Sequence, residues 1–196
     1  MCRHAGCAQV FVNALKYEVI AMNMRIPIIA KVMLYQVLFL VIHYLYDWFP
    51  GSLAYFLGAT NESVFQHMKA GFYTYIALTA IEYGLVNQVV SSKSRFFYAR
   101  LFGASILPLL MLAYFFAGPA VFVKIESIPL EILFANLVLV ATSSSTFLLE
   151  VLFEKSELLP GLKWMIILLF MLTAMQCVIF NYRLPWFDVF AIPPGW

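Results

Sequence analysis

The chain has 196 residues, of which 64% are hydrophobic and 11% are charged, and its formal net charge is +2. A soluble domain carries about 25% charged residues and could not bury this much apolar surface, whereas a disordered chain is far more polar. The small net charge argues against a nucleic-acid partner. Three cysteines, Cys2, Cys7 and Cys177, are too few for a disulfide-stapled secreted domain. The composition therefore indicates a multi-pass membrane protein whose first partner is the lipid bilayer.

Residues 1–24 form a poorly defined N-terminal segment ahead of the first strongly apolar stretch. The run 10–22 is too short to span a membrane, and Asn13, Lys16 and Glu18 interrupt it. We expect either a short amphipathic helix on the membrane surface or an extension upstream of the true start, because Met22 and Met24 stand just before the first span. The segment lacks the features of a cleaved signal peptide.

Residues 25–196 are predicted to form a single transmembrane helical domain. A spanning helix needs about 20 mostly apolar residues, and the runs 101–123, 132–149 and 164–182 contain no charge. The run 32–49 has His43 and Asp47 only near its end, and the run 68–90 contains Lys69 and Glu82. We therefore predict an all-α, polytopic membrane helix bundle. Its five or so transmembrane helices are expected near residues 30–49, 63–88, 97–118, 130–153 and 162–181.

The tail from residue 182 is rich in aromatic residues and proline, which makes it unsuited both to a helix and to a solvated extension. We expect it to fold back over the outer end of the bundle.

Basic residues predict the orientation of the chain. With five spans, nine of the twelve Lys and Arg residues fall on the side of the N-terminus and three on the other. The nine are Arg3, Lys16, Arg25, Lys31, Lys93, Arg95, Arg100, Lys155 and Lys163, and the three are Lys69, Lys124 and Arg183. Because short cytoplasmic loops carry the excess of Lys and Arg, we predict a cytoplasmic N-terminus and an outer C-terminus.

Ionisable side chains are predicted to gather at the outer end of the bundle. His43 and Asp47 are spaced i,i+4 and would share one side of the first helix. Imidazole and carboxylate groups together suit zinc, iron or manganese, so this end is a candidate divalent-metal site. The candidate cluster consists of His43, Asp47, Glu62, His67 and Asp188.

The same residues allow plainer interpretations. Asn61 is a suitable N-cap for the second helix, and Glu62 in its first turn would favour the helix dipole. His43 and Asp47 could form a hydrogen-bonded helix clamp without any metal. Ser63 and His67 could be drawn as a nucleophile pair, although serine hydroxyls in membrane helices usually bond to their own backbone. No catalytic residue is assigned.

Two further charges lie at membrane depth on the inner side. Glu82 is inside the second predicted helix, and Arg100 is at the start of the third. Because an unpaired charge is costly away from water, we predict an intramembrane ion pair between them. The hydroxyl run 142–146 in the fourth predicted helix favours close helix packing over a polar pore lining.

Four segments resemble a family of small prokaryotic multi-pass membrane proteins that carry a domain of unknown function. They are His43-x-x-x-Asp47-Trp48, Asn61-Glu62-Ser63-Val64-Phe65-x-His67-x-Lys69, Ala99-Arg100-x-x-Gly103 with Pro108, and Pro185-x-Phe187-Asp188. The resemblance covers about residues 30–190, and its NESV(W/F)xH segment is the most specific part. The chain departs from the pattern at Gln66, where the family has Glu, at Arg100, where it has Lys, and in the tail after Asp188. The resemblance implies a prokaryotic plasma membrane and supplies no activity.

Three functions stay open at this point. We favour a structural or accessory membrane protein, acting as a homo-oligomer or with another membrane subunit. The alternative is a membrane-embedded, metal-dependent hydrolase with a His/carboxylate site at the outer face. The second alternative is a small oligomeric transporter or channel, which would line a polar path with Glu82 and the hydroxyl run.

Overall fold

A computed structural model describes residues 26–86, 90, 92–122, 127–186 and 188–192, and this part of the chain contains helices and no strand. The predicted N-terminal segment 1–24 lies outside the described residues. The helices are α1 (Ile28–His43), α2 (Leu45–Trp48), α3 (Ser52–Leu57), α4 (Val64–Val86), α5 (Lys93–Phe122), α6 (Ile128–Lys155) and α7 (Pro160–Tyr182), followed by a 3-10 turn at Asp188–Phe190.

Three of these helices are long and apolar enough to cross a membrane. The qualifying segments are Lys93–Gly118, Ile128–Lys155 and Pro160–Tyr182. The helix Ile28–His43 is apolar but has only 16 residues. Large apolar side chains such as Leu137 of α6 and Leu168 of α7 are exposed. An apolar surface of this kind is what contact with lipid requires. The described chain is therefore an all-helical bundle with three candidate membrane-spanning helices.

The core is formed by side chains of α1, α4, α5, α6 and α7, and a seam between α1 and α4 runs along it. Lys31, Tyr35, Phe39 and His43 recur at every fourth residue of α1, and all four are buried. This spacing places them on one face of the helix. The Tyr35 hydroxyl donates a hydrogen bond to the carbonyl oxygen of Gly71 in α4, at 3.3 Å. The seam thus carries a polar side chain at each of its two ends.

The first helix ends earlier than its sequence predicts, at His43 rather than near residue 49. The His43 carbonyl oxygen accepts a hydrogen bond from the Ala59 N–H at 3.2 Å, so it does not continue the helical ladder to Asp47. Asp47 belongs to the separate short helix α2 and is exposed. The predicted i,i+4 relation between His43 and Asp47 within one continuous helix is therefore wrong.

Gly103 allows Tyr75 of α4 to cross α5. A Cβ atom at residue 103 would lie 2.0 Å from the Tyr75 hydroxyl oxygen and 2.6 Å from the ring carbon that bears it. Tyr75 is buried and its hydroxyl donates a hydrogen bond to Glu150 of α6, so the ring has little freedom to move aside. The absence of a side chain at Gly103 is thus a packing requirement.

We expect Gly103→Ala to lower the free energy of unfolding by about 1–3 kcal/mol, because overpacking a filled core has that cost. The matched control is Gly84→Ala, since nothing lies within 4 Å of a Cβ at residue 84 of α4. That control should leave stability unchanged or raise it slightly, because alanine favours a helix over glycine. Thermal unfolding of the detergent-purified variants measures both effects, and an equal response of the two would contradict this packing role.

Candidate functional site

Two histidines and a glutamate converge at the end of the α1–α4 seam where α1 stops. His43 ends α1, Glu62 lies in the loop before α4, and His67 is in the first turn of α4. Glu62 Oε1 lies 3.3 Å from His43 Nε2, and Glu62 Oε2 lies 3.3 Å from His67 Nε2. One ligand atom from each residue falls within 4.8 Å of the other two. We call His43, Glu62 and His67 the outer group, after the membrane face at which the sequence predicts them.

The orientation of His67 leaves one ring nitrogen directed at the carboxylate. Its Nδ1 lies 2.9 Å from the carbonyl oxygen of Ser63, and a carbonyl oxygen only accepts, so Nδ1 carries the proton. In neutral His67 the Nε2 lone pair then faces Glu62, and a positive charge is needed between them. Either a second proton or a metal ion meets this need. A metal-bound histidine commonly donates its other N–H to a backbone carbonyl in this way.

Glu62 is the anionic member of the outer group. Hydrogen bonds with His43 and then with His67 hold the pKa of the Glu62 carboxyl well below its usual range, against the opposing effect of partial burial. Its side chain and that of His67 are 28% and 27% exposed, whereas that of His43 is 7% exposed. The group is therefore anchored on the buried His43 and open to a ligand at Glu62 and His67.

Aromatic packing fixes the two imidazole rings. The Phe39 ring stacks on His43 at 5.7 Å and on His67 at 6.3 Å between ring centroids. The two imidazole centroids are 4.8 Å apart. Nδ1 of His43 is buried and makes no hydrogen bond within the described residues. The stacked Phe39 ring thus adds an apolar contact to the polar contacts that Glu62 and Ser63 make with the two histidines.

The turn that presents Glu62 and His67 is closed by local hydrogen bonds. Ser63 immediately precedes α4, and its Oγ accepts from the Gln66 N–H at 3.4 Å while its carbonyl oxygen accepts from the His67 N–H at 3.3 Å. Ser63 is therefore the N-cap, and the prediction that Asn61 caps the helix is two residues early. The Asn61 side-chain oxygen instead accepts from the Ser63 N–H at 3.0 Å, which forms an Asx turn.

Two predicted members of the outer cluster are not brought into this group. Asp47 is exposed and does not belong to the ligand set, because α1 ends at His43. Asp188 begins the 3-10 turn, and its side chain lies outside the described residues. The turn itself packs onto the bundle, with the Phe190 ring 5.0 Å from Phe65 and 5.3 Å from Phe180.

Lys69 occupies a buried position that the sequence analysis did not interpret. Its Nζ donates to Asn181 Oδ1 at 2.8 Å and to the Tyr55 carbonyl oxygen at 3.1 Å. Lys69 therefore joins α4 to α3 and α7. A lysine inside an apolar run indicates that the side chain has a buried polar partner. The run does not identify Tyr55 and Asn181 as those partners, because neither is its neighbour in sequence.

A network of ion pairs lies at the opposite end of the seam, centred on Arg100. Its Nε and Nη2 donate to the two oxygens of Glu82 at 3.0 and 2.8 Å. Its Nη1 lies 2.9 Å from Glu154 Oε2 and 3.2 Å from Glu150 Oε1. The structure thus contains the predicted contact between Glu82 and Arg100 and adds two carboxylates from α6, which share a face at i,i+4.

Lys31 of α1 completes the network. Its Nζ lies 2.7 Å from Glu82 Oε2 and 2.5 Å from Glu150 Oε1, and the Tyr75 hydroxyl donates to Glu150 Oε2. The sequence analysis counted Lys31 only as a basic residue of the N-terminal side. Two features of the sequence could have indicated this ion pairing: the lone Lys31 in an apolar helix, and the spacing of four residues between Glu150 and Glu154. We call Lys31, Tyr75, Glu82, Arg100, Glu150 and Glu154 the inner cluster, after the membrane side on which the sequence predicts Glu82 and Arg100.

A small cavity adjoins the inner cluster. Its volume is about 30 Å³, and it is lined by all five charged members together with Ile26, Ile28, Phe147 and Val151. A cavity of this size has room for one or two water molecules. The carboxylates therefore border a space that water can occupy.

No protein-family model, curated protein or solved structure matches the chain. The interpretation of both sites therefore rests on their own geometry.

We expect Arg100→Ala to lower the free energy of unfolding by about 3–5 kcal/mol, because breaking a buried ion pair leaves uncompensated buried charge. The exposed Arg95, five residues earlier in α5, is the matched control, and Arg95→Ala should change stability by no more than about 0.5 kcal/mol. Arg100→Lys should fall between them, since lysine cannot reproduce the bidentate contact with Glu82. Equal melting temperatures for Arg100→Ala and Arg95→Ala would contradict a structural role for the inner cluster.

Proposed function

We propose that this chain is an integral membrane protein that binds a divalent metal ion through the outer group and uses it in a hydrolytic reaction at the outer face. The convergence of His43, Glu62 and His67 within 4.8 Å is the observation that carries the proposal. Two imidazoles and one carboxylate are the ligand set of catalytic zinc sites that keep a fourth position for water.

The chemistry follows from that open position. If His43, Glu62 and His67 held a divalent ion, it would acidify a bound water molecule and polarise the carbonyl or phosphoryl group of a substrate. The partial exposure of Glu62 and His67 supports access for a substrate. Exposed Trp48 and Phe49 in and after α2 favour a membrane interface nearby, so a lipid or lipid-linked substrate is the class we propose.

We further propose five spans, with α1 and α4 added to the three apolar helices. The charged side chains that lower the hydropathy of these two helices are buried against protein partners: Lys31, Lys69 and Glu82. These charged side chains do not face lipid. The average hydropathy of α1 and α4 therefore underestimates the ability of these helices to span a membrane. The turn after α1 and the helix α2 can extend the short first span towards the interface.

Charge bias supports a cytoplasmic N-terminus and an outer C-terminus, and the family resemblance implies a prokaryotic plasma membrane. When the buried Lys31, Arg100 and Lys69 are left out, the count of Lys and Arg becomes seven against two. Lys31, Arg100 and Lys69 contact protein rather than lipid head groups. The charge bias therefore comes from the other Lys and Arg residues.

The transporter alternative has less support from the geometry. Ser143 and Thr146 of the hydroxyl run donate to carbonyl oxygens of their own helix, at Leu139 and Thr142. Such bonds satisfy these two hydroxyls within α6 and reduce the support for the run as a path lining. A structural or accessory function remains the alternative, in which His43, Glu62 and His67 clamp α1 to α4 by hydrogen bonds.

Cysteine labelling tests the number of spans. In a Cys2→Ser/Cys7→Ser background, with Cys177 buried, we expect Gly51→Cys to react with a membrane-impermeant maleimide in intact cells. Ser92→Cys should react only after permeabilisation, because α4 separates residues 51 and 92. Equal reactivity of the two variants in intact cells would show that α4 does not cross the membrane.

Elemental analysis tests the metal site. Purified without a histidine tag and loaded with zinc or manganese, the wild-type protein should hold a near-stoichiometric ion. His43→Ala, Glu62→Gln and His67→Ala should each lose it, because each removes one of three ligands. Asp47→Asn is the matched control, since Asp47 is an exposed carboxylate of the same region outside the ligand set.

The control and the ligand variants must all elute as monodisperse folded species for the comparison to count. Metal-dependent hydrolysis is then assayed on vesicles that contain ester- or phosphodiester-linked lipids, before and after chelation. Absence of metal from the loaded wild-type protein would overturn the metal site and leave the helix clamp. Bound metal without hydrolysis of either lipid class would overturn the proposed reaction alone.

A further inference from the structure

Gln176 of α7 is an unpaired amide on the apolar surface of the bundle. Its side chain is exposed and makes no hydrogen bond with any residue that the structure describes. The threonine hydroxyl and the other side-chain amide of α7 both have partners. The Thr173 hydroxyl donates to the Leu169 carbonyl oxygen at 3.0 Å, and the Asn181 amide donates to the Tyr55 carbonyl oxygen at 3.2 Å. Of these three polar side chains, Gln176 alone is left without a partner.

The depth of Gln176 in the span keeps its amide away from water. Of the three helices that are long and apolar enough to cross a membrane, α7 is the least buried by protein. Gln176 lies six residues before the end of α7 at Tyr182, about 9 Å along the helix axis. Side chains on a helix lean towards its N-terminus, so this amide leans towards the middle of the span and away from the nearer end. Because an unpaired amide is costly in hydrocarbon, Gln176 needs a partner within the membrane.

Gln176 belongs to a series of residues with the spacing of a coiled coil. The six members, separated by alternating steps of three and four residues, are Leu162, Met165, Leu169, Leu172, Gln176 and Ile179. Two helices pack along a common line when apolar residues recur at this spacing. Met165, Leu172 and Ile179 are 66%, 48% and 45% exposed, and the two remaining leucines are partly exposed. We call these six residues the α7 stripe, which is accessible along its length and carries one polar side chain.

We propose that a second copy of this chain packs against the α7 stripe, with the two α7 helices parallel and the two Gln176 amides hydrogen-bonded to each other. Copies inserted in one membrane with the same orientation carry Gln176 at the same depth. In a parallel pair, equivalent positions of the repeat face each other, so amide meets amide. An amide both donates and accepts, and two amides related by a twofold axis therefore satisfy each other. Interhelical hydrogen bonds of this kind stabilise helix association in membranes.

Lipid and an unrelated subunit fit the α7 stripe less well than a second copy does. Acyl chains contain no hydrogen-bonding group, so lipid leaves the Gln176 amide unsatisfied. A different subunit would have to present a polar group of its own at the depth of Gln176, whereas a second copy presents one by its identity. The stripe also carries no charge that would select a partner of opposite charge. The pairing involves α7 alone and is independent of the metal proposed for the outer group.

Disulfide cross-linking of the full-length protein in membranes tests the position of the interface. In the Cys2→Ser/Cys7→Ser background, with Cys177 buried, we expect Ile179→Cys to form a covalent dimer under mild oxidation, because residue 179 belongs to the α7 stripe. Val178→Cys is the matched control and should remain monomeric. Val178 is the adjacent residue and is 38% exposed, but it lies about 160° around the helix from Gln176. Equal cross-linking of the two variants, or cross-linking of Val178→Cys alone, would overturn the proposed interface.

Energy transfer between donor- and acceptor-labelled copies in liposomes tests the role of the amide. Over a series of protein-to-lipid ratios, Gln176→Leu should weaken self-association about 3- to 30-fold, because the interhelical hydrogen bond is lost. Gln176→Asn keeps an amide and should retain most of the association. Met171→Leu, at an exposed position of α7 outside the stripe, should not change it. Equal association of wild-type protein and Gln176→Leu would overturn the proposal. A wild-type protein that stays monomeric at every ratio would also overturn it and leave lipid or another subunit as the occupant.

Discussion

The contact of Arg100 with three carboxylates is the interaction on which the rest of the bundle depends. The guanidinium of α5 holds Glu82 of α4 and two glutamates of α6, and Lys31 brings α1 to the same point. Moving each charge out of water costs several kcal/mol, so the cluster persists only where every member is paired. Four helices must therefore meet at one depth and in one rotational setting. Gly103 is needed because Tyr75 reaches this point across α5.

The register set at the inner cluster extends to the outer group. Lys31 and His43 are twelve residues apart on one face of α1, which corresponds to about 18 Å along the helix axis. Tyr35 and Phe39 fill the interval, and Tyr35 holds the Gly71 backbone of α4. Because these contacts fix α1 and α4 relative to each other along their axes, His43 and His67 lie side by side at one end of the seam. The outer group is thus a consequence of packing that begins at its opposite end.

Periodicity and composition were enough to predict the positions of the apolar helices. They were not enough to predict features that depend on contacts between residues far apart in sequence. Uncharged runs located α5, α6 and α7 to within a few residues, because lipid demands continuous apolar stretches. Spacing could not show that the His43 carbonyl pairs with Ala59, so the end of α1 and the position of Asp47 were wrong. His43, Glu62 and His67 were named as candidates from residue type alone. Lys31 and Glu150 were missed as partners because 119 residues separate them.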